Sequence, residues 1–224
     1  MIVLNERQKT ICEDLGLPTS YEKLTPGQKM SIVRIEQLLS YLDTKYDTTF
    51  HYVGYYQPAF NTDEKLEAYS DAFNEYEFTT LEVSRDSTYT DNYPFTIARR
   101  LLWEDLVQYL TNEGDLRCKA FALRGETQLQ DVSSISLDTI SGCSWISFTV
   151  FVSDQQQEDA QKIGELLSQW YVRRGIYGSI NVLLVDDAKL REIDFENYGS
   201  VKRELGISNF VSCDVFEDGI IKIY

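Results

Sequence analysis

The chain has 224 residues, 43% of them hydrophobic and 25% charged. That suits one large folded domain or two small ones, and four Pro and 12 Gly leave little room for long disordered linkers. Thirty-six Asp and Glu against 21 Lys and Arg give a net charge of -15, which disfavours direct binding to nucleic acid or to an anionic membrane and either attracts a basic protein partner or serves solubility alone.

MIVLNERQKT opens on an apolar run too short for a secretory leader, and no later stretch approaches the roughly 20 apolar residues of a membrane helix. Residues 1–46 read as two helices. Asn5 with Gln8 forms a variant capping box for the first, and Gly16 followed by Pro18 ends it. Thr25, Pro26 and Gln28 open the second, whose Ile32, Ile35, Leu38, Leu39 and Leu42 recur at helical spacing. The period then becomes extended over Thr48–Gln57, and again from Tyr76 to Arg85. The polar stretch between them, Asn61–Asn74, fits a short strand, a helical turn or a loop. Asp91 or Asn92 opens a helix carrying Ile97, Leu101, Leu102, Leu106, Val107 and Leu110, and Arg117–Leu123 returns to strand.

Ser144–Val152 alternates and is β-branched, so a strand is expected. Ser153 or Asp154 then caps a helix with Ala160, Ile163, Leu166, Leu167 and Trp170 on one side. Ser179–Val185 is near-continuously apolar, as in a strand buried on both faces. This strand–helix–strand order predicts a parallel pair. Asp186 and Asp187 cap a short helix, and Phe210–Phe216 with Ile220–Tyr224 form a hairpin around Glu217, Asp218 and Gly219. Helices and strands are mixed rather than strictly alternating, which predicts an α+β fold, a mixed sheet with packed helices. The organisation expected is a single domain or two closely packed halves, with a helical pair over 1–46, a mixed part over 47–124 and an α/β part over 144–224.

No glycine-rich phosphate loop, nucleophile elbow or His-Glu-x-x-His motif is present. The four cysteines, Cys12, Cys118, Cys143 and Cys213, include no Cys-x-x-Cys pair, so reduced thiols are expected in place of zinc ligands or a disulfide framework. The single histidine, His51, lies in an aromatic strand and reads as structural or merely exposed. Asp186, Asp187, Glu192, Asp194 and Glu196 cluster after a buried strand, where Mg²⁺ or Ca²⁺ is one reading. Helix capping explains the same carboxylates without a metal. Arg173 and Arg174 complement a helix C-terminus, and Arg100 has Glu104 one turn away. No catalytic residue, metal site or cofactor is assigned.

The segment Asn61–Asn92 carries nine acids, Asp63, Glu64, Glu67, Asp71, Glu75, Glu77, Glu82, Asp86 and Asp91, against Lys65 and Arg85. Aromatics are interleaved with them and crowd the strand before. Aromatic anchors inside a charged rim are what protein interfaces use, so the candidate partner-binding residues are Tyr55, Tyr56, Glu64, Glu67, Tyr69, Asp71, Glu75 and Tyr76. The alternative is that the aromatics face the core and the acids form a solvated sheet face.

The run LNERQKTICEDLGLPTSYEKLTPGQKMSIVRIEQLLSYLDTKY followed by FHYVGYY resembles an uncharacterised family of bacterial proteins. That resemblance implies a bacterial cytoplasmic protein and carries no activity or site residues with it. The function expected is therefore a non-catalytic acidic binding protein, such as an inhibitor or immunity-type protein that neutralises a basic partner. The alternative is a carboxylate- or metal-dependent enzyme.

Overall fold

The computed structural model describes residues 3–127, 131–140, 144–154, 160–205, 210–215 and 221–223. The chain divides into two compact units, Met1–Asn92 and Tyr93–Tyr224.

The first unit opens with α1 (Glu6–Asp14) and α2 (Pro26–Tyr46). Both expected capping boxes form. Asn5 accepts from the Gln8 amide at 2.8 Å, and Thr25 from the Gln28 amide at 3.3 Å, each glutamine reaching back to the cap's own N–H. Ile32, Ile35, Leu38, Leu39 and Leu42 of α2 are all buried, as their spacing predicts. Arg7 ties α1 to α2 through Glu36 at 2.7 Å and Asp43 at 2.6 Å.

A four-stranded antiparallel meander follows: β1 (Phe50–Tyr56), β2 (Glu64–Ser70), β3 (Thr79–Val83) and β4 (Tyr89–Asp91). The stretch that fitted strand, helical turn or loop is thus a strand. Along β2, Glu64, Leu66, Ala68 and Ser70 are buried while Lys65, Glu67 and Tyr69 are half-buried. That period of two explains why its apolar content looked low in the sequence: one face is apolar except at its ends, and the other carries charge.

The second unit begins with α3 (Tyr93–Gly114) and builds a five-stranded sheet in the order β5 (Cys118–Thr127), β6 (Ser144–Ser153), β7 (Tyr177–Val185), β8 (Phe210–Val215) and β9 (Ile221–Ile223). The expected parallel pair is β6 with β7, joined through α4 (Ala160–Arg174), and every other pairing is antiparallel. The hairpin's strands pair as expected, but its turn and residues 155–159 before α4 lie outside the described residues, and Ser153, one of the two expected caps, is the last residue of β6. The fold is α+β.

Two cores sandwich this sheet. On one face, Leu102, Leu106 and Leu110 of α3 meet Leu167 and Trp170 of α4 over Phe148 and Val150. On the other, α5 (Asp187–Glu192) and α6 (Tyr198–Leu205) bring Leu190 and Val201 onto Phe121, Phe151, Leu183 and Val185. Ser179 and Asn181 at the start of β7 are only half-buried, so burial on both faces is confined to the end of that strand. Asp105 joins α3 to α4 by accepting from the Trp170 indole at 2.6 Å and the Arg174 guanidinium at 2.7 Å. Arg174 therefore has a specific partner besides the helix end. Among the described residues no helix is long and apolar enough to cross a membrane.

Candidate functional site

The sheet of the first unit separates the sequence-predicted residues onto two faces. Residues paired across antiparallel strands project to the same side. Tyr55 is opposite Leu66, whereas Gly54 is opposite Glu67, Tyr56 opposite Lys65, and His51 opposite Tyr69. Tyr55 and Glu64 accordingly share the side of Leu66, and Tyr56, Glu67 and Tyr69 share the other.

On the first side, Glu64 is only 7% exposed. Its carboxylate receives the Arg34 guanidinium at 2.6 Å and the Tyr55 hydroxyl, also at 2.6 Å. The hydrogen bonds from Arg34 hold the Glu64 carboxyl below its usual range. Burial and the adjacent carboxylate push the Tyr55 phenol up, so it stays a donor. Arg34 also reaches Gln37 and the Tyr89 hydroxyl. This trio borders a groove of about 780 Å³ between α2 and the start of β2. Met30 stands on its rim at 74% exposure, and Lys29 lies 5.0 Å above the Tyr21 ring.

The opposite face carries a cross-strand row of Tyr56, Lys65, Glu82 and Thr90. Lys65 pairs with Glu67 at 2.8 Å and sits 5.3 Å over the Tyr56 ring. At the far end His51 stacks on Tyr69 with centroids 4.9 Å apart and meets the Asp71 carboxylate at 2.6 Å, which holds the Asp71 carboxyl below its usual range. Glu75 and Tyr76 lie in the β2–β3 connection, both exposed. Phe60, 91% exposed, occupies the β1–β2 connection, where its carbonyl accepts from Arg85.

Three of the nine acids are therefore engaged by cations of the same unit, Glu64 by Arg34, Glu67 by Lys65, and Asp91 by Lys45 at 2.6 Å, and a fourth, Asp71, meets His51. Sequence reasoning missed the two α2 cations, although a signal existed. Arg34, Gln37, Tyr41 and Lys45 recur at helical spacing beside the apolar stripe, which makes them a polar seam. The structure joins that seam to the sheet: Tyr41 packs on Tyr89 at 4.7 Å, and Asp91 accepts from Lys45 and Tyr46. Asp63, Glu75 and Asp86 remain exposed without a cation partner among the described residues, whereas Glu82 is exposed opposite Lys65.

In the second unit the carboxylates after β7 have other occupations. Asp186 caps α5 by accepting from the Lys189 amide at 2.8 Å. Asp187 accepts from Ser153 at 2.5 Å and pairs with Arg117, and hydrogen bonding from the serine lowers its carboxyl pKa. Asp194 accepts from the amides of Glu196 and Asn197. Among the described residues no group of three or more His, Cys, Asp or Glu side chains is arranged to hold a metal ion.

No family model matches the chain, and neither does any curated protein. Among solved structures, the chain is similar to a DUF5037 family protein from Ruminococcus gnavus ATCC 29149, with a TM-score of 0.51 and 11% identity over 80% of this chain and 89% of that one. At that identity the likeness is one of fold.

Proposed function

We propose that this chain is a non-catalytic cytoplasmic binding protein, of the inhibitor or immunity type, that receives a basic protein on its first unit. The observation that carries the reading is the pairing of exposed aromatics with acids that have no internal cation. Tyr56, Phe60 and Tyr76 are 53%, 91% and 43% exposed. Near them in the connections of the sheet, Asp63, Glu75 and Asp86 keep their charge available. Large aromatic anchors give contact area at low entropic cost, and a surrounding negative field steers a basic surface into register. The same field repels nucleic-acid phosphates. The resemblance of residues 4–46 and 50–56 to an uncharacterised bacterial family supports a bacterial origin.

The acids already engaged by Arg34, Lys65, His51 and Lys45 set the unit's own structure, so the test falls on the others. Asp63→Lys combined with Glu75→Lys is expected to weaken capture of the partner from source-cell extract at least ~10-fold. Raising salt from ~50 to ~500 mM should weaken the wild type comparably, because exposed charges are screened over a Debye length of a few ångströms at the higher value. Capture that is insensitive to both changes would defeat the proposal.

A further inference from the structure

A second recess lies wholly within the second unit, between α3, the start of β5 and the segment that follows α5. Its volume is about 450 Å³, inside the ~300–1,000 Å³ range of small-molecule sites. The walls are apolar and largely aromatic: Trp103 and Val107 from α3, Cys118 and Phe121 from β5, and Phe195 from the segment after α5. Phe195 lies 4.5 Å from the Trp103 ring and meets Phe121 edge-on at 4.9 Å, while Phe121 stacks on Tyr198 at 4.8 Å.

The recess is held in shape. Asn197 donates to the Glu192 carbonyl at 2.7 Å, and Asp194 caps the amides of Glu196 and Asn197. Lys119 donates to the carbonyls of Ile193 and Arg191 at 2.6 and 3.0 Å. These bonds fix the segment that carries Phe195 against the sheet, so a ligand would meet a wall already ordered.

The same bonds decide what kind of ligand fits. Each charged group at the rim is already engaged inside the chain: Lys119 by two carbonyls, Asp194 by two amides, and Glu104 by Arg100 at 3.1 Å. A carboxylate entering here would face the negative charges of Glu104 and Asp194. The one cation in the lining, Lys119, is held by two carbonyls, so burying an anion's charge would go uncompensated. The amide of Gln108, exposed at the mouth, has no hydrogen bond among the described residues and suits a neutral polar edge.

We infer that this recess is a binding site for an aromatic small molecule of one or two rings that carries no negative charge and whose polar group, if it has one, meets Gln108. Face and edge contacts with Trp103, Phe121 and Phe195 supply the recognition. The site is independent of the protein partner proposed for the first unit.

The test uses the full chain and the neutral fluorophore N-phenyl-1-naphthylamine. Its emission should rise saturably at one molecule per chain, with quenching of tryptophan emission. 2-Naphthol should displace it, and 2-naphthoate should need at least ~10-fold higher concentration. Gln108→Trp, a change at an exposed position that plugs the mouth, should weaken binding at least tenfold. Ala120→Leu, filling the recess from the strand, gives an independent check, and circular dichroism establishes folding for each variant. No saturable signal, equal displacement by naphthoate, or binding unchanged in folded Gln108→Trp and Ala120→Leu would each overturn the inference.

Discussion

Gly178→Ala is expected to destabilise the second unit by about 4 kcal/mol or more, enough to abolish its cooperative folding if its stability lies near the low end of ordinary domains. Gly178 sits in β7 between two backbones, opposite Ile146 of β6 and Val215 of β8. A Cβ there would lie 1.9 Å from the Ile146 carbonyl oxygen and 2.9 Å from its nitrogen. Those neighbours are main-chain atoms of a paired strand and cannot swing away as a side chain would. The backbone φ of 148° adds a second cost, because L side chains rarely adopt it. The three tryptophans, Trp103, Trp145 and Trp170, all belong to the second unit. The variant should therefore red-shift tryptophan emission and lower its melting midpoint sharply, while near-ultraviolet tyrosine dichroism from the first unit persists. A melting loss below a few degrees would contradict the strand geometry.

Arg34→Met is expected to cost the first unit about 2–3 kcal/mol, less than the 3–5 kcal/mol of a fully buried pair because the Arg34 side chain retains 30% exposure. It leaves the Glu64 carboxylate, 7% exposed, with Tyr55 as its remaining partner. Glu64→Gln should cost less, since a neutral amide still accepts from Arg34 and Tyr55. The double variant should be less destabilised than the sum of the two, which measures their coupling. The pair also gives stability a direction in pH. Arg34 lowers the Glu64 pKa in the folded chain, so the unfolded chain takes up the proton at higher pH. The contribution is full above the ordinary glutamate range, about pH 4.3, and is lost as pH falls through the lower folded value. Urea unfolding of the first unit between pH 7 and pH 3 should show a shallower acid limb in Glu64→Gln than in the wild type. Identical limbs would mean that the pair contributes nothing.

Local chemistry made much of the fold legible. Asn5, Thr25 and Asp186 cap the helices they announce, and the stripe from Ile32 to Leu42 is core, because caps and periodicity depend on neighbours in sequence. The parallel pairing of β6 with β7 followed from strand–helix–strand order alone. β2 stayed ambiguous because the Glu64 at its head is buried only by virtue of Arg34, a partner 30 positions away. The candidate site blurred for the same reason. Alternation put Tyr55 and Glu64 on one face and Tyr56, Glu67 and Tyr69 on the other, and no composition count reveals which acids find cations on a distant helix. The aromatic recess beside α3 was equally hidden, since Trp103, Phe121 and Phe195 read singly as ordinary core residues.

The thiols give each half of the chain a chemical clock. Cys12, fully buried in the first unit, has its pKa raised by burial and by Glu13. Cys118 in the second is pushed up to about 12 by burial. Alkylation requires the thiolate, so at neutral pH both thiols react slowly until their surroundings open and the pKa falls back toward ~8.5. Iodoacetamide labelling read by peptide mass would thus time the opening of each unit separately, without adding a probe, in a chain whose halves need not open together.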